Sequence, residues 1–225
     1  MSNQPDPTLT RILAELAPED HLGVLLAAQV GGTPHELQLI LQTTEYLAEQ
    51  DGYRPTGQYI IRALGVVEHR LALGLFSNLV ISAENSMLHR YNHPQVEVYF
   101  RGVPGQVDSL MLELQQLYGQ TYGIYRHLAD DINRTRPLGA LLSTGYGLLG
   151  TMPAPFVEKL APLLARYGLS LHTLEAESSP PRIPYHLLVM DDSFVIAQLF
   201  SADPMGTTRK ATTTGQVGQA ALESK

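Results

Sequence analysis

No cysteine occurs in the 225 residues. That absence excludes a disulfide framework, a thiolate nucleophile and any zinc site built on sulfur. No unbroken apolar run approaches the ~18 residues a membrane-spanning helix needs, so no membrane association is expected. The opening MSNQPDPTLTR has neither a basic start nor an apolar core, and it does not read as a secretory signal. A reducing cytoplasm is the expected location. Charge is sparse as well: 16% of residues are charged, the formal balance is −7 and the pI is near 5.6. Gripping phosphate backbones takes Lys and Arg. The arginines are scattered, Arg54, Arg62, Arg70, Arg90, Arg101, Arg126, Arg134 and Arg136 among them. Nucleic-acid binding is therefore not expected beyond a local basic patch.

What is present is enough apolar material, 44% of the chain, to bury a core without staples. TLTRILAELA places Leu9, Ile12, Leu13 and Leu16 at i, i+3, i+4, i+7, the stripe of a short amphipathic helix. HLGVLLAAQV reads as a buried strand. In GGTPHELQLILQTTEYLAEQ, Thr33 reads as an N-cap, Pro34 as the first helical position and Glu36 as the partner in a Thr-x-x-Glu capping box, which predicts a helix over 34–50. QYIIRALGVV and RLALGLFSNLVIS then predict a hairpin that turns at Glu68-His69. QVEVYFRG reads as a strand. VPGQVDSLMLELQQLYG reads as a helix stopped by Gly119, and residues 121–136 fit either strand or helix. LGALLSTGYGLLG predicts a strand, MPAPFVEKLAPLLARYG a helix kinked or started by Pro162, and LSLHTLEAE a strand. A second hairpin is expected in LVMDDSFVIAQLFS, and the polar residues from 204 to 225 read as a disordered tail.

The two hairpin segments resemble each other. At a lag of 124 positions Leu75 falls on Leu199, Phe76 on Phe200, Leu64 on Leu188 and Glu68 on Asp192. A lag of 119 sets Pro34 on Pro153, and a lag of 49 sets Pro104 on Pro153, Leu114 on Leu163 and Tyr118 on Tyr167. The expectation is an α/β fold, with α+β as the alternative, made of repeated strand–helix–β-hairpin modules packed as two pseudo-symmetric halves. The expected divisions are an N-terminal helix at 1–20, a first half at 21–103, a central helix and connector at 104–136, a second half at 137–203 and a tail at 204–225. In outline this arrangement is similar to the phospholipase-D-like fold. The His-x-Lys of that family falls on Ile61 and Ala63, or on Tyr185 and Leu187, so neither copy carries its chemistry.

Few residues point to chemistry. In HLADD, His127, Asp130 and Asp131 share a face if the segment is helical, a spacing usable for metal ligation. His89 and His93 stand at i, i+4, but Pro94 disfavours helix at His93. Gly145, Gly147 and Gly150 form a GxGxxG after an expected strand and before an expected helix. Backbone N–H groups there, with Ser143, Thr151 and Arg101, are the candidate contacts for an anionic ligand. Asp191-Asp192 and Glu68-His69 read as turn formers. Tyr118, Tyr122, Tyr125 and Arg126 are candidates for a pocket or a subunit interface. No motif calls for a cofactor. The expected function is binding without catalysis, of a small ligand or a protein partner in a cleft between the halves, by a homo-oligomer. The alternatives are a hydrolase or transferase with a site assembled from distant residues, and a nucleic-acid or stress accessory protein.

Overall fold

Asp6 starts the first helix. Its Oδ1 accepts from the Thr8 and Leu9 N–H groups at 2.8 and 3.2 Å, and Pro7 follows with a backbone angle suited to a first turn. In the computed structural model, which describes residues 6–49, 51–175 and 181–206, this helix is α1 (Pro7–Glu15). Strands β1 (His21–Val30), β2 (Glu36–Leu47), β3 (Gly52–Leu64), β4 (Glu68–Arg70), β5 (Gly74–Phe76) and β6 (Leu79–Ser82) follow. Next come α2 (His89–Asn92), β7 (Gln95–Arg101), α3 (Val107–Tyr122), α4 (Leu138–Ser143), β8 (Tyr146–Pro153), α5 (Ala154–Arg166) and β9 (Ser170–Glu175). The last strands are β10 (His186–Met190), β11 (Ser193–Ala197) and β12 (Leu199–Pro204). Among the described residues no helix is long and apolar enough to cross a membrane.

The fold is mixed α/β, with three sheets of antiparallel neighbours, ordered β12-β3-β2-β1-β5, β4-β11-β10-β6 and β8-β7-β9. The first two sheets share one core. Leu39, Leu41 and Ile61 from one meet Leu188 and Val195 from the other, with Ile12 of α1 packed among them. Strand β11 is buried along its whole length. Its Val195 and Ala197 face that core, while Phe194 and Ile196 meet Met87 and Leu88 ahead of α2. The third sheet turns Val96, Val98 and Phe100 onto α3, α4 and α5.

Residues 34–50 do not form the predicted helix. The Thr33–Glu36 bonds exist, from Thr33 N–H and Oγ1 to Glu36 Oε2 at 3.2 and 2.9 Å, but they close the β1–β2 turn. His35 in that turn has φ +61°, which no helix start accepts. Beyond it Leu37, Leu39 and Leu41 are buried with period two, and two β-branched threonines follow. The hairpin expected at Glu68-His69 is also absent: β3 pairs with β2 and β12, and Glu68–Arg70 crosses to pair with β11. The lag of 119 thus sets a strand against a helix. Helix α3 passes Gly119 and stops at Gly123, whose φ of +62° glycine adopts at no steric cost. The strand expected from residue 138 is α4 followed by β8, and Pro162 lies inside α5 without ending it.

The hairpin at 188–201 forms, as β10 and β11. Asp191 makes its turn at φ +46°, and its carboxylate accepts from the Ser77 and Asn78 N–H groups at 2.8 and 3.1 Å. It is a turn former and an anchor for the β5–β6 loop. Strand β12 extends to Pro204, and residues 207–225 of the expected tail lie outside the described residues. Ile12→Ala is expected to cost about 2–5 kcal/mol in a urea melt, the range for a buried aliphatic truncation. A loss under about 1 kcal/mol would put α1 outside the cooperative core.

Candidate functional site

A short segment after α3 builds the site. Residues Leu128–Asp130 make one 3-10 turn, and the chain then runs beside β8, with Ile132 bridging Gly150. Thr151 N–H donates to the Asp131 carbonyl at 3.1 Å, Asn133 N–H to Leu149 O at 2.7 Å and Asn133 Nδ2 to Leu148 O at 3.1 Å. Gly150 makes this approach geometrically feasible: a Cβ there would lie 2.1 Å from the Asp131 carbonyl oxygen. Close contact with a neighbouring backbone therefore requires a glycine here.

Between this segment, α2 and the start of β7 opens a pocket of about 320 Å3, lined by Arg90, Gln95, Asp130, Asp131, Asn133 and Thr151 among others. Asp131 is 8% exposed. Its Oδ2 accepts from the Tyr118 hydroxyl at 2.7 Å, and Oδ1 lies 3.5 Å from Arg90 Nη1. Asp130 faces outward, with Oδ1 held by Arg134 at 3.1 Å and Oδ2 accepting from His127 N–H at 3.1 Å.

Behind the pocket lies buried polar structure. Tyr118, Tyr122 and Phe156 pack ring to ring at 4.6–5.5 Å. Burial, and for Tyr118 the hydrogen bond to Asp131, push both phenols well above the usual tyrosine range. Arg126, 5% exposed, donates through Nη2 to Glu68 Oε2 at 2.5 Å and lies over the Tyr91 ring, 5.7 Å from its centroid. Tyr91 donates to the same Glu68 oxygen, and burial together with that bond raises its phenol to about 12. Burial alone would lower the Arg126 guanidinium, and Glu68 and Tyr91 more than offset it, so it is held above its ordinary value. Among the described residues three buried side-chain atoms have no hydrogen-bond partner: Arg126 Nε, Tyr122 Oη and His89 Nδ1. Burial is the main cause of the Tyr122 shift, and the charges of Asp131, Arg126 and Arg90 also act on its phenol.

The residues singled out from sequence distribute as follows. Asp130, Asp131, Gly150 and Thr151 share this pocket. Arg101 and Gly147 line a different cavity, at one end of the β8-β7-β9 sheet. Ser143 Oγ donates to the Gly139 carbonyl on the surface of α4, and Gly145 makes the turn into β8. The glycine motif therefore runs helix–turn–strand, the reverse of the expected order. His127 caps the 3-10 turn, and among the described residues no group of three or more His, Asp or Glu side chains is placed to hold a metal ion. His89 and His93 do meet, edge to face at 5.1 Å, and burial followed by the His93 and Lys159 charges lowers the His89 imidazole.

Sequence reasoning missed Arg90, Gln95 and Asn133, and it took Glu68 for a turn residue. Glu68 and Arg126 are 58 positions apart, so no local spacing announces their pairing. Compared with protein-family models, curated proteins and solved structures, the chain matches none.

Gly150→Ala is expected to lower stability by about 1–3 kcal/mol through overpacking and to speed amide exchange at Asn133 and Thr151. Gly105→Ala, where a Cβ meets nothing within 4 Å, is the control. Equal effects from the two substitutions would remove the close-approach argument. A second expectation concerns alkaline pH. Tyr91 and Tyr59 ionise near 12 in the folded chain against about 10 when unfolded. Their contribution to stability is full below pH 10 and is lost as pH rises through 12. Phenolate absorbance should therefore be lower in the native than in the denatured protein at pH 11, and coincident titrations would contradict this burial.

Proposed function

We propose that the chain works by binding, and that the Arg90–Asp131 pocket takes a small polar ligand carrying both charges, of which an α-amino acid is the simplest. One observation carries this reading: a cation and a carboxylate stand 3.5 Å apart at a pocket of about 320 Å3. That separation is longer than the 2.7–2.9 Å of a tight charge-assisted bond, so both groups keep capacity for a ligand. The ligand carboxylate accepts from the Arg90 guanidinium, which offers planar paired donors. The ligand ammonium donates to Asp131. Thr151 and Asn133 line the same pocket.

Native mass spectrometry of the full-length protein, compared with its denatured mass, is expected to reveal added mass of amino-acid size. A thermal-shift series over the twenty amino acids should then raise the melting temperature with at least one of them. Arg90→Gln and Asp131→Asn are each expected to abolish the shift, at an effect of about tenfold or more in affinity for a lost charged contact. No added mass and no shift with any member would sink the proposal.

A further inference from the structure

The open face of the third sheet carries a second set of groups, independent of the Arg90–Asp131 pocket. Val96, Val98 and Phe100 of β7 point at the helices, so Glu97, Tyr99 and Arg101 point the other way. Cross-strand register places His172 of β9 directly opposite Tyr99, and Tyr146 of β8 and Ser170 of β9 opposite Arg101. Tyr99 and Tyr146 are therefore diagonal neighbours on one face. They line a cavity of about 430 Å3 with Arg101, Gly147, Ser170 and His172.

The ring faces and the guanidinium of this set are open. Tyr146 is 73% exposed. Among the described residues no other ring stacks on Tyr99, Tyr146 or His172, and no carboxylate pairs with Arg101. The one carboxylate nearby on this face, Glu97, accepts from the Tyr99 hydroxyl at 2.9 Å and lies at the end of β7 away from Arg101. The face thus offers ring surfaces in its middle and positive charge at one end.

We infer that this cavity binds a small planar aromatic molecule bearing an anionic group, with the ring against Tyr146 and Tyr99 and the anion on the Arg101 guanidinium. Its volume lies in the range of small-ligand sites, and a free aromatic anion of mononucleotide size matches its charge layout. A nucleic-acid strand does not, because a strand is held by a row of cations along its phosphates. Arg101 is the one Lys or Arg lining this cavity, in a chain of formal charge −7.

The test is calorimetric titration of the full-length protein with adenosine 5′-monophosphate, with adenosine as its uncharged counterpart. Binding of the monophosphate is expected at or below roughly 1 mM, and adenosine should bind more weakly. Tyr146→Ala should weaken the monophosphate about tenfold, the scale of one lost aromatic stack, whereas Tyr146→Phe should retain it. Arg101→Gln should bring the monophosphate down to the affinity of adenosine. Tyr146 and Arg101 are exposed, so the fold survives both changes, which an unchanged melting temperature verifies. Absence of binding at about 10 mM, or binding indifferent to both substitutions, overturns the inference. So does tighter, steeply salt-dependent binding of a deoxyadenylate dodecamer, which would make the polymer backbone the thing recognised.

Discussion

A guanidinium buried to 5% exposure has to be answered by charge, and at Arg126, in the segment after α3, the answer comes from β4 of the second sheet. Removing one partner of such a pair leaves an uncompensated ion in the interior at a cost of several kcal/mol. Glu68 therefore has to arrive beside Arg126, and much of the chain's course follows from that demand. After β3 the backbone turns at Gly65, crosses to the second sheet and pairs Glu68–Arg70 with β11. Tyr91, just after the Met87-Leu88 turn, covers the guanidinium and donates to the same carboxylate. One ion pair thus joins three units: the two-sheet core, the α2 segment and the helical unit that carries Asp131.

The helical unit joined by this pair also carries the pocket. Asp131 is held from behind by the Tyr118 hydroxyl and from the side by Arg90, while its backbone is pinned to β8 by Thr151. The Tyr118 hydroxyl holds the carboxylate and Thr151 holds the backbone, so the side chain is preorganised. Preorganisation of this kind would lower the entropy cost of the binding proposed for this pocket.

Legibility from sequence follows the range of the interactions. Helices α1, α3 and α5, strand β7 and the β10–β11 hairpin are specified by local periodicity and turn chemistry, and they were readable from it. Residues 36–47 were not, because Leu39, Ile40 and Leu41 satisfy both periods and Thr33–Glu36 bonding serves a hairpin turn as well as a helix cap. Glu68 looked like turn chemistry because its partners lie at positions 91 and 126. In the candidate site the two aspartates and Gly150 were visible as residue types. What brings them together is the passage of one backbone against another, which a linear pattern does not encode. The pseudo-symmetric halves are not confirmed: β12 joins the edge of the first sheet beside β3, and β11 and β10 stand together between β4 and β6 in the second.

Strand β12 has a consequence for biosynthesis. It supplies the outer neighbour of β3, pairing Leu199–Pro204 with Tyr59–Leu64, while Ala202 N–H donates to the capping Asp6. During translation some 135 residues must emerge between β3 and this partner, so β3 waits as an unpaired edge with Ile60 and Ile61 in its row. Contacts of such long sequence separation slow folding, and unpaired apolar edges recruit other chains. The nascent protein is therefore most prone to self-association after β3 forms and before β12 docks, and a chaperone that shields strand edges would act in that interval.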